Sequence, residues 1–93
     1  MREQIDVIGA TLPFFTYIID DITYYEFDSS ESMPPEPMVN AMRGLALLKT
    51  DKEILVMINA QEPTPFFEKI KNDFSWEVEC LESEDFKIRF RRR

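Results

Sequence analysis

Histidine is absent from this sequence, cysteine occurs once and glycine twice. Without an imidazole to titrate near neutrality, histidine-based acid–base catalysis, Cys–His pairs and the usual zinc sites are excluded. The single thiol, Cys80, forbids an intramolecular disulfide and points to a reducing, cytoplasmic compartment. Gly9 and Gly44 stand alone and cannot build a phosphate-cradling loop. Long apolar runs are lacking as well. No stretch approaches the roughly 18 apolar residues of a membrane span, and Met1 to Asp6 is too polar to open a signal peptide. The expectation is a soluble cytoplasmic protein with no membrane association and no metal or other cofactor.

Basic charge is scarce where it could matter. Net charge is −7, from 11 basic and 18 acidic residues. Lys87, Arg89, Arg91, Arg92 and Arg93 supply five of the basic residues, so residues 1 to 86 hold six basic against all eighteen acidic side chains. Such a surface repels phosphate backbones, which excludes nucleic acid as a partner; Arg91 to Arg93 read as a solvated tail.

What is present is a single-domain amount of core. The 93 residues are 44% hydrophobic and include eight Phe, three Tyr and one Trp, enough for one core without disulfides and too apolar for disorder. The chain is organised around Met33 to Leu48, where Pro34, Pro35 and Pro37 form a rigid elbow that runs directly into a helix. That helix should run from Pro37 to about Lys49, burying Met38, Ala41, Met42, Leu45 and Leu48 at i, i+3, i+4, i+7 spacing. Gly44 costs about 1 kcal/mol there relative to Ala, so close approach to the sheet is its expected compensation.

Ile54 to Ile58 is continuously apolar, as in a central strand beside a parallel neighbour with both faces occupied. A second helix follows, with Thr64 as its N-cap, Pro65 at its first position and Phe66, Phe67 and Ile70 as its apolar contacts. The last third is a hairpin. Trp76, Val78 and Cys80 alternate with Ser75, Glu77 and Glu79, and Phe86, Ile88 and Phe90 with Lys87, Arg89 and Arg91. Setting Cys80 opposite Phe86 places Glu79 by Lys87 and Glu77 by Arg89 on the outer face, and buries Cys80 as an inert core thiol.

The first 22 residues carry two conflicting patterns. Ile5, Ile8, Leu12, Phe15, Ile19 and Ile22 recur at helical spacing, yet Phe14 to Phe27 reads as two strands joined by Asp20-Asp21. A short helix or coil followed by a hairpin is the preferred reading. Its aromatic surplus should either cover an open sheet edge or join a second chain, and a homodimer through this extension is favoured.

From Phe27 to Met38 the chain reads FDSSESMPPEPM, with Glu62-Pro63-Thr64-Pro65 later. This resembles the opening signature of the TusA/SirA-like family, and more closely a cysteine-less branch that has Pro-Pro-Glu-Pro-Met at this point. The resemblance runs from Thr23 to Arg91. It implies an α+β fold: a two-layer α/β sandwich of order β-α-β-α-β-β with a mixed four-stranded sheet over residues 23–93, here preceded by an extension over residues 1–22. Pro34 stands where sulfur carriers of the family hold their persulfide cysteine, and Ser30-Glu31-Ser32 where they have Arg-Gly-Leu, so the carrier role does not transfer.

No residue set amounts to a reaction, and no catalytic residue is assigned. The expected site is the sheet edge where both proline elbows and both helix N-termini meet. Asp28, Glu31, Pro34, Pro35, Glu36, Pro37 and Glu62 fall there, and the carboxylates favour a basic partner. A non-catalytic protein-interaction or regulatory module is the first expectation. A sulfur or redox carrier using Cys80, and a small-ligand-binding module, are the alternatives.

Overall fold

In the computed structural model, which describes residues 1–93, the two aromatic runs of the N-terminal third form an antiparallel hairpin. Its strands are β2 (Phe14–Ile19) and β3 (Ile22–Asp28), closed by Asp20 and Asp21 at φ 50° and 67°. Both turn residues have the positive φ of the turn whose twist matches that of the flanking strands, and Asp tolerates it better than most residues. Of the short helix or coil expected before this hairpin, no helix forms. Residues 3–5 instead make the short strand β1 (Glu3–Ile5), paired antiparallel with β2, and the chain to Pro13 is turn and coil. Ile8, on the proposed helical stripe, is 94% exposed.

Beyond the hairpin come α1 (Glu36–Leu45), β4 (Glu53–Asn59), α2 (Thr64–Ile70), β5 (Phe74–Cys80) and β6 (Phe86–Arg92). From β3 onward the order is β-α-β-α-β-β, but the sheet has six strands rather than four, arranged β1-β2-β3-β4-β6-β5. The extension adds β1 and β2 to the edge of β3, which is one of the two roles expected of it, covering that edge or joining a second chain. β3 and β4 are parallel, so α1 is a crossover helix, as the apolar run of β4 implies. Both crossovers advance in the same direction across the sheet, so right-handedness puts α1 and α2 on one face.

The core lies between that face and the helices. Phe14, Phe27, Leu55, Met57, Ile88 and Phe90 meet Ala41, Leu45 and Leu48 from the α1 side and Phe66, Phe67 and Ile70 from α2. Phe67 stacks on Trp76 at 4.5 Å, which seats α2 over the start of β5. Gly44 lies where expected, since a Cβ there would stand 2.5 Å from Leu55 Cδ1.

Two helical expectations need correction. α1 ends at Leu45, four residues early, with Leu48 buried in the following turn, and its buried side is Pro37, Asn40, Ala41, Gly44 and Leu45. Thr64 does not cap α2; Pro63 occupies that position, and no side chain caps either helix.

The hairpin of β5 and β6 has the expected register, with Cys80 opposite Phe86, Val78 opposite Ile88, Trp76 opposite Phe90, Glu79 opposite Lys87 and Glu77 opposite Arg89. Burial of Cys80 is not found. Its alternation places it on the helix side, but α2 covers only the other end of β5, so the thiol is exposed on an edge strand. The outer ion pair is also diagonal: Arg89 Nη2 donates to Glu79 Oε1 at 2.9 Å, leaving Glu77 without it.

Candidate partner-binding site

At the C-terminal edge of β3 and β4 the backbone is fastened before either helix begins. Ser29 N donates to the Ile58 carbonyl at 2.7 Å, and the buried Ser29 hydroxyl lies 2.9 Å from that carbonyl and from Asn59 Oδ1. Asn59 Nδ2 donates to the Gln61 carbonyl at 2.9 Å. Each buried polar atom therefore has a partner, which holds the ends of both strands in register where the two elbows depart.

Between the elbows is a groove of about 510 Å³. Pro34, Pro37, Met38 and Met42 form its α1 wall. Asn59, Glu62, Pro63, Pro65, Phe66 and Lys69 form the opposite side. Proline rings and thioethers dominate, giving an apolar lining with a rigid rim and flexible Met side chains. Met42 is 53% exposed although it sits mid-helix, and Val39 beside it is exposed too. α1 carries only two charges: Glu36, which accepts from the Thr11 hydroxyl at 2.6 Å, and Arg43. Its solvent side is therefore an apolar stripe continuous with the groove.

The seven residues expected at this edge divide. Pro34, Pro37 and Glu62 line the groove, and Pro35 occupies the N-cap position of α1. Glu36 is turned toward Thr11 instead. Asp28 and Glu31 line a second cleft with Arg2, Phe15, Ser30 and Ser32, and strand alternation puts Asp28 on the face that carries no helix. In that cleft the Arg2 guanidinium sits 4.2 Å over the Phe15 ring and 3.5 Å from Glu26, which also accepts from Tyr17 at 2.7 Å. Burial, then the Glu26 carboxylate, pushes the Tyr17 hydroxyl well above the ordinary tyrosine range, so it stays a neutral donor.

Met38, Met42, Phe66 and Lys69 belong to the groove, although Met38 and Met42 read as core packing in the sequence. A signal was available: the only polar side chains of α1, Glu36, Asn40 and Arg43, fall on one narrow face at i, i+4, i+7 spacing, which leaves apolar residues around the rest of the helix, more than one buried side accounts for. Nowhere do three carboxylate or thiol groups converge as metal ligands, and no helix is long and apolar enough to cross a membrane. No family model matches the chain, and comparison with curated proteins and with solved structures finds no significant similarity.

Proposed function

We propose that this chain is a non-catalytic, TusA-like protein-interaction module whose docking surface is the groove between α1 and α2 and the adjoining stripe of α1. The observation that carries the reading is the apolar stripe itself: Pro34, Val39 and Met42 exposed on one helix and its elbow, opening into a proline- and methionine-lined groove. Exposed apolar surface that is contiguous and rimmed by polar residues fits a protein partner better than water. The occupant is an apolar segment with basic flanks. Glu62 on the rim, Asp28 and Glu31 around the same sheet edge and a net charge of −7 favour a cationic partner, with Lys69 the single opposing charge in the groove. Pro34 lines the groove where the sulfur carriers it resembles hold cysteine, so the module would keep a docking elbow without its nucleophile.

A photo-crosslinking residue at Met42 of the full chain in cells tests this. A discrete protein adduct, absent when the crosslinker replaces Lys52 at the opposite sheet edge, is expected. Equal labelling from both positions would contradict the reading.

One observation favours a second reading, a sulfur or redox carrier: Cys80 is exposed. Its setting is unlike that of a persulfide carrier, because the thiol ends a strand, not a helix approach, and Glu79 and Glu82 flank it in sequence. Transfer of labelled sulfur from a desulfurase to the native chain, abolished by Cys80→Ser, would establish that reading instead.

A further inference from the structure

The last strand in the sheet order, β5, pairs with β6 alone, so its other edge is open along all seven residues. Arg93 N donates to the Asp73 carbonyl and Leu81 N to the Asp85 carbonyl, each at 2.8 Å. Continuing that alternation, the odd-numbered residues of β5 bond to β6, while Phe74, Trp76, Val78 and Cys80 point their N–H and C=O groups outward. The edge contains no proline and no glycine. The opposite edge of the sheet is β1, three residues long. Beyond β1, residues 17–19 of β2 are unpaired on that edge too, so β5 offers the longest continuous stretch of unpaired backbone.

Side chains on the two faces of β5 specify what could add to it. On the helix side, Val78 and Cys80 are exposed because α2 stops short of them, forming an apolar shelf at the edge. On the other side stand Ser75, Glu77 and Glu79. Arg89 lies opposite Glu77 yet bonds to Glu79, so Glu77 is an exposed carboxylate with no ion pair. A second copy of this strand laid antiparallel, with full overlap, would set Glu77 against Glu77, a like-charge cross-strand pair. A strand with apolar residues on one side and basic residues on the other would instead cover the shelf and pair the carboxylates. The pattern of β6, Phe-Lys-Ile-Arg-Phe-Arg, already does this on the inner edge.

We propose that the free edge of β5 is a β-augmentation site for an extended partner segment that alternates apolar and basic residues. This surface is distinct from the α1–α2 groove. Backbone pairing through Trp76, Val78 and Cys80 supplies affinity, and Glu77 selects the partner's charge and register.

The probe is the synthetic peptide Phe-Lys-Ile-Arg-Phe-Arg-Arg, added to the full chain with amide exchange followed residue by residue. Protection of the Trp76, Val78 and Cys80 amides is expected on binding. Methylating alternate peptide nitrogens that face the edge should weaken binding about tenfold or more, and Glu77→Lys should weaken it roughly threefold to tenfold. Equal binding of the N-methylated peptide, or of one with Glu at every basic position, would overturn the proposal, as would protection confined to α1 and α2 or no binding. Protection of the β5 amides that rises with protein concentration in the absence of peptide would overturn it in favour of a second copy.

Discussion

Asn40 fastens the first 22 residues to the rest of the chain. Fully buried, it accepts from the backbone N–H of Thr11 and Leu12 at 2.9 and 3.2 Å, and its amide donates to the Thr11 hydroxyl and the Glu36 carbonyl at 2.8 and 2.9 Å. Both amide atoms are thereby satisfied, which makes a buried Asn tolerable inside an otherwise apolar helix face. Asn40→Leu keeps the branching at Cγ but adds volume and leaves the Thr11 and Leu12 donors unpaired, and should lower stability by about 2–4 kcal/mol. Denaturant midpoints measure the loss, and amide exchange should show β1 and the 6–13 loop opening first. Glu53 gives a pH signature. Burial alone would raise its pKa, but N–H groups of Lys49 and Thr50 and the Tyr25 hydroxyl bond the carboxylate and hold it below the ordinary value of 4.5. Its stabilising contribution is complete above that value, where the folded and unfolded states are both ionised. It fades as pH falls from there through the lowered folded pKa, because the unfolded state takes up the proton first. Acid titration of stability should therefore show a step below pH 4.5 that Glu53→Gln removes. Neither role was legible beforehand, because Asn40 and Glu53 find their partners through loops whose paths no periodicity encodes.

At the scale of elements, alternation was the reliable guide. The β5–β6 register and the parallel placement of β4 follow from period-two and continuous apolar patterns, which survive because a one-residue slip would invert the buried face. Alternation assigns a face, however, and not its cover. Cys80 has the expected face, but α2 is seven residues long and ends before reaching it. The 3–4 spacing through Ile5 and Ile19 forms no helix, and the hairpin preferred over it does form: in an aromatic-rich segment that spacing also arises by chance, and β-propensity with a two-Asp turn outweighs it. In α1 the apolar residues span all but the narrow face of Glu36, Asn40 and Arg43, so the stripe through Met38 and Met42 was one of several sides the helix could bury, and the side actually buried runs through Pro37, Ala41 and Gly44. Gly44 indicates which side is buried, because Leu55 and Phe14 leave no room for a methyl group. Gly44→Ala should lower stability by about 1–2 kcal/mol, overpacking at a fully buried Leu55 outweighing the gain of up to about 1 kcal/mol in helix propensity. Thermal or denaturant unfolding decides the sign; a net gain would mean that the sheet yields to α1.

For the whole molecule, the sequence conveyed an α+β chain with both proline elbows at one sheet edge, and the structure brings Pro34, Pro37 and Glu62 together there. It did not convey that the acids would divide between two faces, since Asp28 leaves β3 on the side without helices while Glu62 stays with α2. Nor did it convey the sheet's width, which depends on whether the extension forms strands. The surface that results has an acidic overall charge, one apolar groove and one apolar helix stripe, and the central claim is that this groove and stripe are where a partner docks. Methyl NMR of the methionines tests it most directly, because the five methionines sample different places: Met38 and Met42 line the groove, Met33 lies on the elbow, Met57 is buried and Met1 is exposed at the start of the chain. With the partner identified by crosslinking added to the full chain, the account predicts shifts at Met38 and Met42 with Met57 and Met1 unmoved. Unperturbed Met38 and Met42 methyls in a saturated complex would contradict it.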